Sequence, residues 1–455
     1  MQIRRWRLEL PRLLTVRASR QWAPEGIPEM TAETVKQPER PKLIEIMGPG
    51  LITGASDDDP SGIATYSQVG AQFGYGLGWT LVASFPLMAA IQEISARIGR
   101  VTGRGIAGNL RQYYPAWLLN GIVGLVLVAN IINIGADLGA MGAALKLLIG
   151  GPGLLYVAGF AALTVGLEVF VRYSRYVSVL KYLTLSLLAY VATVFVVGTP
   201  WGKVAWSILS PPISLDKNYV LAVVAVLGTT ISPYLFFWQA EEEVEDEQER
   251  PEKSPLVDAP EQAPNEFYRI RIDTYVGMAL SNLVALFIVI TTAATLNAHG
   301  VTDIQTSAQA AEALRPIAGP FAFALFACGI IGTGLLALPV LAGSAAYALG
   351  EAMQWPVGLA KKADRAKGFY LTIAVATAIG AAMNFSPIDP IKALFWSAVI
   401  NGIVAVPVMG VMMLLSQRQE IMGRFVLPPL LRIFGWLATA AMAATVVALA
   451  VTSFS

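Results

Sequence analysis

The sequence predicts an all-α integral membrane protein of about eleven helices, and three observations carry that reading. Over 455 residues the chain is 55% hydrophobic and only 14% charged, with a mean hydropathy of +0.58. A soluble domain holds about 25% charged residues, so this composition suits a bilayer better than water. Apolar runs of roughly 20 residues, the length that crosses a membrane as a helix, recur along the chain. Lysine and arginine are distributed unevenly between the segments joining those runs.

The runs place helices near 44–72, 77–97, 117–148, 154–171, 176–198, 219–240, 274–297, 316–347, 368–385, 390–415 and 426–452. Residues 1–42 precede them and read as a basic tail, with Trp6 and Trp22 among the arginines. No long apolar core follows that stretch, so a signal peptide is not expected. With the tail in the cytoplasm, the segments on the same side hold 27 of the 32 Lys and Arg residues. The bias sets the N-terminus inside and, with eleven crossings, the C-terminus outside. A plasma-membrane (inner-membrane) location is the expectation.

Several function classes drop out early. The net charge of +1 offers no field for nucleic acid. One cysteine, Cys328, and one histidine, His299, leave no disulfide frame, thiolate cluster or histidine-rich metal centre. No metalloprotease, hydrolase-elbow or phosphate-loop motif is present, so an enzyme is not expected.

Two spans are interrupted. GPGLITGASDDDPSGIATY, residues 48–66, sets Asp57, Asp58 and Asp59 beside Pro60 within an apolar run. Proline removes a backbone donor and clashes with the preceding turn, while Gly54 and Gly62 weaken the flanks. VLGTTISPYLFFWQ, residues 226–239, repeats the device in the sixth span around Pro233, with Gly228 ahead of it. Unwound backbone at membrane depth survives where it lines a cavity. Broken helices at the first and sixth positions point to two inverted five-helix repeats around a midplane binding site. The expected organisation is a tail (1–42), a first repeat (43–198), a second repeat (199–415) with an acidic cytoplasmic linker (241–268), and an eleventh helix (416–455).

Charge inside a bilayer is expensive and usually functional. Asp59 abuts the break and is the leading ligand candidate; Asp57 and Asp58 are expected in a watery vestibule or as helix caps. Asn130, Asn133 and Asp137 share one face of the third helix, for inter-helix bonding or for lining a pathway. Glu93 with Arg97 and Glu168 with Arg172 are spaced as structural i,i+4 pairs. The run EEEVEDE, Glu241 to Glu247, reads as a solvated loop, and residues 248–265 as a flexible linker.

The stretch GPG-x8-DP-x9-GAQFGYGLGW (48–79) resembles the first helix of the NRAMP metal transporters. QEISARIGRVTGRGIAGNLRQYYP (92–115) and GADLGAMGAALKLL (135–148) resemble the segments that follow, and the similarity covers nearly the whole chain after residue 42. The resemblance implies a LeuT-type fold with one additional helix. It also implies a metal site at the two breaks, formed by the Asp59 side chain, the carbonyls of Ser56 and Thr229, and the positions of Gly62, Ser232 and Tyr234. The family reads D-P-G-N at the first break; here the sequence is Asp59-Pro60-Ser61-Gly62, so the asparagine ligand becomes Gly62. The family's methionine and histidine at the sixth helix become Ser232 and Tyr234. Thioethers favour soft transition metals, and Mg²⁺ prefers oxygen ligands and retained waters. The departures therefore resemble the NRAMP-related magnesium transporter branch. Of the acidic pair that proton-coupled members carry on the third helix, Asp137 matches one position and Ala140 stands at the other.

The expectation is a facilitator importing Mg²⁺, and Mn²⁺ as well, by alternating access without proton coupling. It would work as a monomer in the lipid bilayer, with no cofactor besides the transported ion. Asp59, Ser232, Ser56 and Thr229 are the expected metal ligands, with Gly62 and Tyr234 around them; Asp137, Asn133, Asn130 and Asp58 are candidates for a pathway. The competing expectations are a proton-coupled Mn²⁺/Fe²⁺ importer, an organic-amine transporter on the same fold, and a metal sensor using the acidic segment.

Overall fold

The computed structural model describes residues 53–54, 56–171 and 187–454, all within one compact unit, Leu43–Ser455. The basic tail, the start of the first span, the first half of the fifth and Arg172 lie outside the described residues.

Several helices begin where the sequence supplies a cap or a proline. The first break is followed by α1 (Pro60–Phe73), with Pro60 in its first turn. Next come α2 (Gly78–Thr102), α3 (Ile106–Tyr113), α4 (Ala116–Ile149) and α5 (Gly153–Phe170). α6 (Leu188–Val196) and α7 (Trp201–Leu209) meet at a bend of 118°. The sixth span is split into α8 (Lys217–Thr230) and α9 (Pro233–Glu249), the first capped by Asp216 and the second starting on Pro233. α10 (Ala263–Thr295), α11 (Ala322–Met353), α12 (Lys367–Met383), α13 (Pro390–Ser416) and α14 (Pro429–Phe454) complete the chain. Proline fits a first turn because that position's N–H has no intrahelical partner.

The helices sort into two groups by what they touch. α1, α2, α9 and α10 pack on one another, and α4, α5, α11 and α12 form the second set; α13 touches α8, α1 and α4. In its most apolar stretch the α8–α9 span is 94% buried, against 22% for α5 and for α14. The broken sixth span is thus the centre, and α5 and α14 face outward. Trp117, Phe170, Ile433 and Val451 are among the large apolar side chains left exposed, a surface that hydrocarbon covers.

Close approach at the centre relies on small residues. A Cβ on Gly228 would lie 2.0 Å from the Ala398 carbonyl oxygen and 2.5 Å from the Gly402 nitrogen. α8 and α13 therefore meet backbone to backbone, as membrane helices do through small residues.

The acidic run corrects the reading of residues 241–268 as a solvated loop and flexible linker. α9 continues to Glu249, and Glu241, Glu243 and Glu247 are buried. Cations from elements distant in sequence neutralise this end. Arg100 of α2, fully buried, reaches Glu247 and Glu266 (both 3.2 Å), Gln262 (2.8 Å) and the Ser254 carbonyl (2.6 Å). Arg269 pairs with Glu243 and Glu266, and Lys253 with Asp246 and Glu266. Segment 250–262 is tied down through its own backbone too, since the Leu256 and Val257 N–H groups donate to carbonyls of α2. The Glu93–Arg97 pair forms as expected, at 2.7 Å.

Removing one partner from a buried ionic network strands the others, at a cost of about 3–5 kcal/mol. Arg100→Ala is therefore expected to lower the thermal midpoint of the detergent-solubilised protein by several degrees. An unchanged midpoint would show that the network does not hold α2, α9 and α10 together.

Candidate functional site

Both breaks are short extended stretches between helical ends. Residues 53–54 and 56–57 are helical, Asp58 bends, and Asp59 is extended (φ −71°, ψ 171°) before α1 begins. In the sixth span the helix stops at Thr230, and Ser232 is extended (φ −81°, ψ 128°) before α9. Each break thus sets the carbonyl end of one helix against the N–H end of the next. The carbonyl ends carry partial negative charge and favour a cation.

Asp59 links the two breaks. Its Oδ1 accepts the Gly62 N–H at 2.7 Å, which caps α1, and its Oδ2 accepts the Tyr234 hydroxyl at 3.2 Å. The same hydroxyl lies 3.3 Å from the Ser56 carbonyl oxygen, to which it can also donate. Ser232 Oγ rests 2.9 Å from the carbonyl oxygens of both Gly228 and Thr229. Gly62 faces α8, because a Cβ there would lie 3.2 Å from Thr229 Oγ1. The Thr229 side chain therefore stands against the position from which a side chain at residue 62 would project. Ser56, Asp59, Thr229, Ser232 and Tyr234 are all at most 2% exposed.

Asp57 and Asp58 turn the other way. Ser281 Oγ of α10 lies 2.6 Å from Asp57 Oδ2 and 3.3 Å from Asp58 Oδ1. Both carboxylates are buried, which corrects the expectation of a watery vestibule. Asp59 is thus the carboxylate turned toward the sixth helix, to which Tyr234 ties it. Among the described residues, no three His, Cys, Asp or Glu side chains converge as a metal site by themselves. A cation at the breaks would instead meet one carboxylate, hydroxyls and carbonyls.

The polar face of α4 divides by role. Asn130 donates to the Leu341 carbonyl (2.9 Å) and to Ser344 (2.8 Å) on α11. Asn133 and Asn401 of α13 exchange amide hydrogen bonds at 2.8 and 3.2 Å. Those two asparagines join helices. Asp137 is fully buried, and neither carboxylate oxygen has a hydrogen-bond partner among the described residues. It lies near enough to Asp59 for the two charges to interact. Ser281 and Asn401 were not singled out in the sequence; Asn401 is a lone amide in an apolar run and Ser281 forms a polar pair with Asn282, and those interruptions are the signal that could have found them.

A cavity of about 280 Å³ opens above α1, lined by Ala64, Gln68, Asn218, Asp303, Lys392 and Phe395 among others. Ala64 sits one helical turn beyond Pro60, so this vestibule reaches toward the first break along α1 and the start of α8.

The family model described as Nramp, natural resistance-associated macrophage protein-like, matches residues 50–452. Relatives named divalent metal cation transporter MntH include that of Pectobacterium carotovorum, 27% identical over 311 residues, covering 67% of this chain and 71% of that protein. The Aeromonas hydrophila protein of that name is 26% identical over 314 residues, with 67% and 72% covered. A crystal structure of the Eremococcus coleocola manganese transporter superposes with a TM-score of 0.69 at 17% identity, covering 90% of this chain and 86% of that one. Mhp1, a nucleobase-cation-symport-1 family transporter, gives 0.53 at 13% identity, with 90% and 93% covered. At those identities the likeness speaks for the fold alone, and the fold is LeuT-type, as expected.

Proposed function

The chain belongs to the Nramp family, and from that premise we propose that it carries divalent metal cations across the membrane, Mg²⁺ first and Mn²⁺ second. The observation that carries the reading is the donor set at the two breaks. Asp59 Oδ2, the Ser56 and Thr229 carbonyls and the Ser232 and Tyr234 hydroxyls are oxygen donors, and the hydrogen bonds of Tyr234 and Ser232 tie them in two neighbouring groups. A single carboxylate with neutral oxygens suits a hard cation that keeps part of its water shell. Neither a thioether nor an imidazole stands among them to prefer a softer metal.

In this reading the two repeats are residues 43–198 and 199–415, and alternating access is the rocking of the α1–α2–α9–α10 group against the α4–α5–α11–α12 group. The lysine and arginine bias supports a cytoplasmic N-terminus in the plasma membrane, with the vestibule outside. The membrane potential supplies about 2.3 kcal/mol per charge at 100 mV, hence about 4.6 kcal/mol for a dication moving inward. That alone concentrates the ion by about three orders of magnitude.

Asp137 supports a second reading, a proton-coupled importer of Mn²⁺ or Fe²⁺, because its buried carboxylate has no hydrogen-bond partner among the described residues. One experiment separates the two. Proteoliposomes under a negative-inside potential are given Mg²⁺ while internal pH is recorded, for wild type and Asp137→Asn. The expected result is Mg²⁺ entry without acidification, unchanged within about twofold by the substitution. Acidification that accompanies metal entry and disappears in Asp137→Asn would select the coupled reading instead.

A further inference from the structure

Away from the two breaks, at the end opposite the vestibule, two carboxyl groups from the two helix groups meet. Glu351 lies near the end of α11. Its Oε1 accepts the Gly105 N–H and its Oε2 the Gly108 N–H, both at 2.8 Å. These donors open α3, so the Glu351 carboxylate sits at the positive end of a helix and accepts two of its N–H groups. Glu241 of α9 comes to the same place from the other group. A Cβ on Gly105 would lie 1.7 Å from Glu241 Oε1 and 2.6 Å from Glu351 Oε2, so both oxygens crowd one point. Glu241 is 2% exposed, and its Oε1 accepts no hydrogen bond from the described residues.

Among the described residues, each cation near Glu241 is engaged elsewhere. On α9 itself Glu242 and Glu245 are like charges, and Glu245 is held by the Tyr347 hydroxyl and the Leu359 N–H, with Lys361 near it. From α2, Arg97 is committed to Glu93 and Arg100 to Glu247 and Glu266. Arg104, ahead of α3, acts on Glu351 and bonds Gln112, while Arg111 of α3 bonds the Ala352 carbonyl. On α4 and α13, Lys146 and Lys392 lie at the vestibule end and Asp137 lies near Asp59. Two carboxylates packed this closely cannot both be ionised, and one proton between them resolves the conflict.

We propose that Glu241 and Glu351 are a one-proton latch: Glu241, protonated, donates to the Glu351 carboxylate and holds this end of the transporter shut. When α9 rocks away from α11 the two groups reach water, the proton leaves, and repulsion opposes reclosure. The closed form binds one proton more than the open form, so acid favours closure and alkali favours opening. Linkage limits the effect to a tenfold change in the open-to-closed ratio per pH unit. The proton enters and leaves on one side only, so the latch regulates opening without coupling transport to a proton gradient. It depends on the packing of α9 against α11 and not on which ion is carried.

The test is a distance measurement on the full chain in nanodiscs. With Cys328→Ser as background, spin labels go on Gln248→Cys of α9 and Met353→Cys of α11, both exposed positions. In the otherwise native chain the long-distance population is expected to rise severalfold from pH 6 to pH 8. Glu241→Gln, whose amide donates at every pH, should hold the short distance and show no pH response. Glu351→Ala, which removes the acceptor, should favour the long distance and be equally flat. If either carboxyl variant keeps the native pH response, or if the native chain shows none, the latch is wrong. Two variants on different helices keep the test decisive should one of them fold poorly.

Discussion

Asp59→Asn is expected to cut Mg²⁺ uptake at least a hundredfold while leaving the fold intact. Asparagine caps a helix as well as aspartate does, so the Gly62 N–H bond that starts α1 survives the exchange. The formal charge does not survive. Asp59 Oδ2 is the carboxylate oxygen that Tyr234 ties to the sixth helix, while Asp57 and Asp58 are engaged by Ser281 on the α10 side. A dication at the breaks would then face only neutral oxygens, and a divalent ion in a buried site without counter-charge is strongly disfavoured. Thermal stability and metal-dependent stabilisation should be read together. The variant should melt within a degree or two of wild type, yet millimolar Mg²⁺ should no longer raise its midpoint. Uptake at wild-type level would assign Asp59 a purely capping role and move the cation site to Asp57, Asp58 and Ser281.

How much of this was legible from residues alone depends on whether the signal is local. The spans are local: each is an apolar run, and each break carries a proline beside small or polar residues, so Pro60 and Pro233 announce themselves. The pairing of the breaks follows from their positions five helices apart. The direction of neighbouring side chains does not follow. Asp57, Asp58 and Asp59 are adjacent in sequence, but the turn from helix to extended backbone sends Asp59 toward Tyr234 and the others toward Ser281. The acidic run was misread for a related reason. Seven residues holding six carboxylates look like a solvated segment until Arg100, Arg269 and Lys253 are seen to neutralise them from three other places in the chain. Asn133 was expected either to line a path or to join helices; its partner Asn401 decides for joining, and that partner is 268 residues away.

The other large effect is expected from Ser232→Met, in selectivity rather than in rate. Ser232 stands where the family carries its thioether, and its hydroxyl rests on the carbonyls that close α8. A methionine here places a soft, polarisable donor at the second break and removes a hydroxyl that Mg²⁺ could use. The ratio of Mn²⁺ to Mg²⁺ uptake should rise at least tenfold, chiefly through loss of Mg²⁺ flux, and Cd²⁺ should become a strong competitor. Overfilling a packed site costs about 1–3 kcal/mol, so part of any loss could come from bulk alone. Ser232→Leu separates the two effects, since leucine adds comparable volume without sulfur. If leucine and methionine reduce Mg²⁺ and Mn²⁺ uptake alike, size governs the site and donor softness does not. If methionine alone retains Mn²⁺, the hydroxyl at this position is what keeps the native site open to a hard ion. Gly62 bears on the same balance: with Thr229 Oγ1 3.2 Å from where its Cβ would stand, the asparagine typical of the family has little room to return. Restoring the thioether therefore changes donor chemistry at the sixth helix while the first helix keeps its own, which makes the uptake ratio in Ser232→Met a measure of that one ligand.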